Sequence, residues 1–170
     1  LTRDPAEILA DPSIDIVAEV LGGVEPAGSY MLQALAGKKH VVTANKAAVA
    51  ARFRDLQEAA AANGVLLRYE ASVAGGIPII NAITTALRSN RILSVKGIVN
   101  GTTNYILTQM SVQGLSYGEA LRAAQEKGFA EADPTDDVEG FDAANKLSIL
   151  LALAFGEIVP PGDIPTEGIA

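Results

Sequence analysis

Cysteine is absent from these 170 residues, and histidine occurs once, as His40. Without cysteine there is no disulfide, no thiolate-bound zinc and no iron–sulfur cluster. With a single histidine, no metal site can be built from several imidazoles. A Ser-His-Asp triad would have to use His40, and the G-x-S-x-G turn that presents such a serine is missing. Positive charge is also scarce: 13 Lys and Arg stand against 20 Asp and Glu, a net charge of −7 at pH 7. That balance argues against nucleic acid and anionic membrane surfaces as partners, since both need clustered cations. No apolar run reaches the ~18 residues of a membrane span, and no signal peptide is recognisable at the start. Leu147–Phe155, the most apolar tract, reads as a buried helix. The lack of cysteine fits a cytoplasmic setting. Neither G-x-G-x-x-G nor a Walker A loop occurs; Gly23 and Gly28 have the Walker spacing, but Ser29 stands where the lysine belongs.

What is present is nearly half apolar, 49%, enough to build a core in one domain or two small ones. Residues 13–21 read as a largely buried strand ending at Gly22-Gly23. Helical spacing runs from Pro26 to about Leu35 and stops at Gly37, and 40–43 forms a second strand. Asn45 then opens an Ala-rich helical stretch that Asn63-Gly64 closes, and 65–70 forms a third strand. This alternation predicts an α/β fold with a parallel sheet covered by helices. The texture changes near residues 70–76. A helix is expected from Pro78 to about Leu87, then a strand over 92–99. Helices follow near 102–112, 117–126 and 141–155, and the proline-rich tail reads as an extended exit segment. The opening LTRDPAEILADP reads as a loop leading straight into a parallel strand with no earlier partner. A three-stranded parallel sheet open on one side is a poor stand-alone design, which predicts a piece of a larger protein.

The segment GFAEADPTDDVEGFDAANK poses the chemical question. Six acids, Glu131, Asp133, Asp136, Asp137, Glu139 and Asp142, fall within twelve positions. They are either a solvated run leading into a helix N-terminus or a place where a cation collects. An EF-hand fails, because position 6 counted from Asp133 is Val138 and not glycine. Asp142 and Lys146 are four apart, hence on one helix face, among Ala143, Ala144, Leu147 and Leu150. That setting predicts a partly buried ion pair, and a buried lysine is unfavourable unless paired or used.

Three other stretches bear on function. In TANK, Lys46 follows the C-terminal end of a parallel strand, where open α/β sheets bind ligands; Asn45 there is equally an ordinary N-cap. Two lysines near carboxylates could polarise a carbonyl and move a proton. In YEASVAGGIP, Glu70 precedes a glycine turn, readable as a simple positive-φ turn or as a hard-cation site of one carboxylate and main-chain carbonyls. In VNGTTNYI a strand enters a helix with Thr102 or Thr103 as N-cap, and bare amides there could hold a carboxylate.

Taken together, TANK, EASVAGGIPII, GIVNGTTNYIL and GFAEADPTDDVEGFDAANK resemble the homoserine dehydrogenase family, over about Ile14 to Phe155. The resemblance implies reduction of aspartate 4-semialdehyde to homoserine with NADH or NADPH. It makes Lys146 the proton donor and Lys46 a second lysine near substrate and nicotinamide. Glu131 and Asp142 would grip the amino-acid end of homoserine, with Asp137 in support and Thr102 and Gly101 alongside. Gly128, with Gly22, Gly23 and Lys46, would line the cofactor. Glu70 and the carbonyls of Val73, Gly75 and Ile77 would form a structural sodium site. The implied architecture is the C-terminal half of a Rossmann-type dinucleotide-binding domain (1–72), an α+β substrate-binding and dimerisation domain (73–158) and a tail (159–170). A homodimer is implied, with the 92–99 strand at its interface. The glycine-rich nucleotide turn of the family is missing, which puts hydride transfer by these residues alone in question. Two other readings stand beside this one: a binding or dimerisation module without catalysis, and a purely structural α/β domain with no ligand at the Asp142–Lys146 face.

Overall fold

The computed structural model describes residues 1–170. Three parallel strands, β1 (Ile16–Glu19), β2 (His40–Thr43) and β3 (Leu67–Arg68), lie in the order β1-β2-β3. Val17 pairs with Val41, and Val41 with Leu67, so the three share one sheet face. Val41 and Leu67 are buried there, while Ile16, Val42 and Leu66 on the other face are exposed. The flanking strands are shorter than 13–21 and 65–70, because each pairs only with β2 and nothing extends its ladder.

The opening segment is not a loop. Pro5–Ala10 form helix α1, with Asp4 as N-cap accepting from the Ala6 amide at 2.9 Å and proline in the first turn. Helix α2 (Ala27–Ala36) follows β1. The helical stretch after Asn45 is broken at Arg52 into α3 (Lys46–Ala51) and α4 (Phe53–Asn63), and Gly64 ends it with φ 67°. Glu70 does not end a strand; it opens a 3-10 turn, Glu70–Ser72. Helix α5 (Ile79–Asn81) then runs into a π turn, Ala82–Ala86.

The expected strand over 92–99 is not formed. No amide from Arg91 to Val99 donates to a backbone carbonyl. Ile92 and Val95 pack against the core, whereas Leu93 and Ile98 are 79% and 77% exposed. The segment is rich in branched aliphatic residues, as strands are, but a strand needs a ladder partner and none lies beside it in this chain. Beyond it come α6 (Gly101–Gln113), α7 (Tyr117–Glu126), the short α8 (Thr135–Val138) and α9 (Phe141–Phe155).

The main core joins Met31 and Leu35 of α2, Val41 of β2, Val49 of α3 and Leu56 of α4 to Ile80, Ile83, Ile149 and Leu150. Helix α9 is therefore fixed against the helices covering the sheet, although they lie far apart in sequence. A smaller core of Ile106, Ala120, Ala124, Ala130 and Val138 holds α6, α7 and α8 together. The proline-rich tail does not lead away. The Ile169 amide donates to the Val138 carbonyl at 3.0 Å, and Gly168 lies so close to Val138 and Glu139 that a Cβ would sit 3.1 Å from their oxygens.

Candidate functional site

Helix α9 places Asp142 in its first turn and Lys146 one turn on. The Lys146 ammonium donates to Asp142 Oδ2 at 2.6 Å and to the Val99 carbonyl at 2.7 Å. Asn100 caps α6: its Oδ1 accepts from the Thr103 amide at 2.8 Å and the Thr103 hydroxyl at 2.9 Å. The cap is thus Asn100 and neither threonine. The amide nitrogen of Asn100 donates to Asp142 Oδ2 at 2.8 Å and to Asp137 Oδ1 at 2.6 Å. From the other half of the chain, Lys46 at the start of α3 reaches Asp142 Oδ1 at 3.0 Å. One carboxylate, 4% exposed, thereby holds two lysines and an amide.

Burial pushes the Asp142 carboxyl up, but hydrogen bonds from Lys146, Asn100 and Lys46 outweigh it and hold the group below its ordinary value. It stays ionised. Both of its oxygens are taken, so its first task is to hold the lysines. Asp137 has an oxygen with no side-chain partner, and that oxygen can accept from an incoming ammonium.

Two clefts meet at this cluster. One, of about 580 Å³, is lined by Gly101, Thr102, Gly128, Asp137, Asp142 and Lys146, together with the tilted aromatic pair Tyr105–Phe129. A Cβ on Gly101 would meet nothing within 4 Å, so this helix start faces open space. Thr102 gives its hydroxyl proton to the Phe129 carbonyl at 2.7 Å and so holds that wall. The other cleft, of about 280 Å³, lies at the C-terminal ends of β1 and β2, between Gly22, Gly23, Lys46 and Asp136. Gly22 and Gly23 both have positive φ, 85° and 68°, so bare backbone faces the cleft. Lys46 borders this second cleft and touches Asp142 on the first.

Not every expected residue joins in. Glu131 is exposed, forms no ion pair and lies outside the first cleft; only its carbonyl is used, by Gln125 at 3.1 Å. Gly128 lines the cleft of Asp142 and Lys146, away from Gly22 and Gly23. The Glu70 carboxylate is not a free ligand: it accepts from the amides of Ile80 and Asn81, both at 2.9 Å, capping α5. Bare amides of a first helical turn attract a carboxylate strongly. The Val73 and Gly75 carbonyls accept no backbone amide, and Ile77 accepts only from Ile79, so carbonyl donors for a small cation remain. No group of three or more His, Cys, Asp or Glu is arranged to hold a metal ion.

Sequence reasoning passed over Asn100 as a site residue and Glu19 altogether. Glu19, 4% exposed, accepts from the Thr43 hydroxyl at 2.6 Å and the Leu21 amide at 2.7 Å. A lone acid in the otherwise apolar run Ile16 to Leu21 was the signal for it.

A family profile described as homoserine dehydrogenase matches residues 78–170, and one described as the homoserine dehydrogenase NAD-binding domain matches residues 1–70. The chain is 53% identical over 169 residues to a homoserine dehydrogenase of Synechocystis, covering 99% of this chain and 39% of that one. It is 49% identical over 170 residues to the Bacillus subtilis homoserine dehydrogenase, covering all of this chain and 39% of that one. Among solved structures, a homoserine dehydrogenase from Thiobacillus denitrificans superposes with a TM-score of 0.95 at 51% identity, over 99% of this chain and 39% of that one. A hyperthermophilic archaeal homoserine dehydrogenase in complex with NADPH gives a TM-score of 0.87 at 31% identity, over 93% and 49%. The chain thus spans about two fifths of the length of the curated relatives it matches. The Asp142–Lys146–Lys46 cluster sits on a chain that belongs to the homoserine dehydrogenase family.

Proposed function

We propose that these residues supply the substrate and proton-transfer site of an enzyme that reduces L-aspartate 4-semialdehyde to L-homoserine. The observation that carries the reading is a single buried carboxylate holding two lysines where two clefts meet. Reduction of an aldehyde places negative charge on its oxygen, and an ammonium at hydrogen-bond distance stabilises that charge and delivers the proton. Lys146 is the donor. The Val99 carbonyl and Asp142 hold it on two sides, so its position does not depend on substrate. Lys46 lies between the substrate and the nicotinamide. Asp137, with Asp142 behind it, binds the substrate ammonium, Gly101 and Thr102 form the wall beside it, and Glu131, outside the cleft, adds negative charge to the same segment.

Gly22, Gly23 and Lys46 fit the nicotinamide end of NAD or NADP, because bare backbone leaves room for a flat ring and a lysine can donate to a carbonyl oxygen beside it, with Gly128 on the neighbouring cleft. The bound dinucleotide supplies the hydride. A sodium ion fits the carbonyls of Val73, Gly75 and Ile77, with Glu70 adding negative charge from its place on the α5 amides. The partition at 72/73 and 158/159 into nucleotide-binding, substrate-binding and tail segments, a homodimer and a cytoplasmic setting belong to the same proposal. No helix is long and apolar enough to cross a membrane.

The test is a titration of a full-length dehydrogenase carrying this segment with aspartate 4-semialdehyde and each nicotinamide cofactor, following cofactor absorbance. Turnover is expected. Binding of homoserine without any turnover would favour the second reading, a module that keeps the substrate and dimer surfaces without catalysis.

A further inference from the structure

Glu19 is a buried carboxylate with no cation within ion-pair distance, and nothing in the proposed chemistry uses it. Burying such a group is unfavourable unless its lone pairs are filled. They are filled from three directions. Oε2 accepts from the Thr43 hydroxyl at 2.6 Å, and Oε1 accepts from the Leu21 amide at 2.7 Å and more weakly from the Asn45 side chain at 3.4 Å. Two of these donors belong to TANK, and the third begins the Leu21–Gly23 turn.

The bonds continue outward. The Thr43 oxygen accepts from the Asn45 amide at 2.9 Å. The Asn45 side chain donates to the Gly23 carbonyl at 2.8 Å, and its oxygen accepts from the Ala48 amide at 3.1 Å, capping the helix whose first residue is Lys46. Glu19 thus joins the turn that walls the second cleft to the helix start that carries Lys46. The strand ends could have been joined by apolar packing alone, yet a charged acceptor gathers their donors.

We propose that Glu19 is a positioning residue, which acts through Thr43 and Asn45 to aim Lys46 at Asp142 and to set the Gly22–Gly23 wall of the second cleft. This rests on the reading of Lys46 as a residue beside substrate and nicotinamide. It predicts loss of function through geometry, since small misplacement of a reacting group lowers rates steeply.

The experiment is a double-mutant cycle in the full-length dehydrogenase carrying this segment, with Glu19→Ala, Lys46→Ala and the pair. Glu19→Gln is included to preserve volume should the alanine variant fold poorly. Each Glu19 variant should lower kcat roughly 10–100-fold and raise the cofactor KM, with homoserine KM changed less. The losses should be strongly non-additive with Lys46→Ala. Additive losses, or a lowered Tm with unchanged kcat and KM, would overturn the proposal by leaving Glu19 a merely structural acid. A fully active Lys46→Ala variant would overturn it from a different side, by removing Lys46 itself from the proposed function.

Discussion

A carboxylate that is 4% exposed needs its lone pairs filled, and at Asp142 two lysines do most of this. Because its folded carboxyl lies below the ordinary value, near 4, native Asp142 binds its proton less readily than unfolded Asp142 does. Its contribution to stability is therefore complete above that ordinary value and is lost as pH falls through the lower folded value. Asp142→Asn should lower stability near pH 7 by roughly 2–4 kcal/mol, less than for a fully enclosed pair because Lys46 is 41% exposed. Its urea midpoint should also fall less than that of the wild type between pH 5 and pH 2. Parallel acid limbs in the two proteins would mean that Asp142 is not the titrating group. For Lys146, the dehydrogenase carrying Lys146→Ala should lose about 10²–10⁴-fold in kcat, the range of a single proton donor, while homoserine KM changes little. An unaltered kcat would take Lys146 out of the chemistry.

Among the elements, α6 shows how a helix start serves a site. Asn100 satisfies the first turn with its oxygen and two carboxylates with its nitrogen. Losing a cap alone costs about 1 kcal/mol. Asn100→Ala should cost clearly more, because Asp137 and Asp142 lose their shared donor and face each other. The excess should shrink when Asp137→Asn is added, which chemical denaturation of the four proteins would measure. Helix α7 is the comparison: Ser116 and Glu119 form a reciprocal capping box on an exposed surface. Ser116→Ala should therefore cost only the ordinary ~1 kcal/mol. Equal losses at Asn100 and Ser116 would show that the bridge between carboxylates adds nothing.

At the scale of the molecule, Ile149 of α9 lies fully buried in the core that also holds α2, α3 and α4. Ile149→Ala should destabilise the fold by about 2–5 kcal/mol and loosen Lys46 relative to Asp142, since that core fixes α9 against α3. The amides of 91–99 donate to no backbone carbonyl and Leu93 and Ile98 are exposed, so the segment offers the backbone groups of an open strand edge. Such edges pair with another strand unless blocked. The 170-residue chain should scatter light as a dimer, and Ile98→Lys should shift it towards monomer. Calorimetry with NADPH should find no tight binding by these residues alone, because pyrophosphate sites of this class use a glycine turn that is missing here. A clean monomer, or tight binding of NADPH, would contradict this account.

What the sequence determined by itself was local, or rested on one helical period. The parallel order of 16–19, 40–43 and 67–68 follows from strand–helix alternation. The Asp142–Lys146 pair follows from a four-residue spacing, and the helix end at Gly64 follows from glycine's freedom at positive φ. The start signals of α1, Asp4 and Pro5, are equally local. Contacts between distant segments were not legible. Lys46 meets Asp142 across nearly a hundred residues, and Asn100 joins Asp137 to Asp142. Glu70 turns to the α5 amides in place of standing free as a ligand, and Glu131 falls outside the cleft. These were decided only when the core of α2, α3, α4 and α9 set where each polar side chain could find a partner. A buried charge is stabilised by whichever complementary group packing brings within about 3 Å, and residue order alone does not carry that distance.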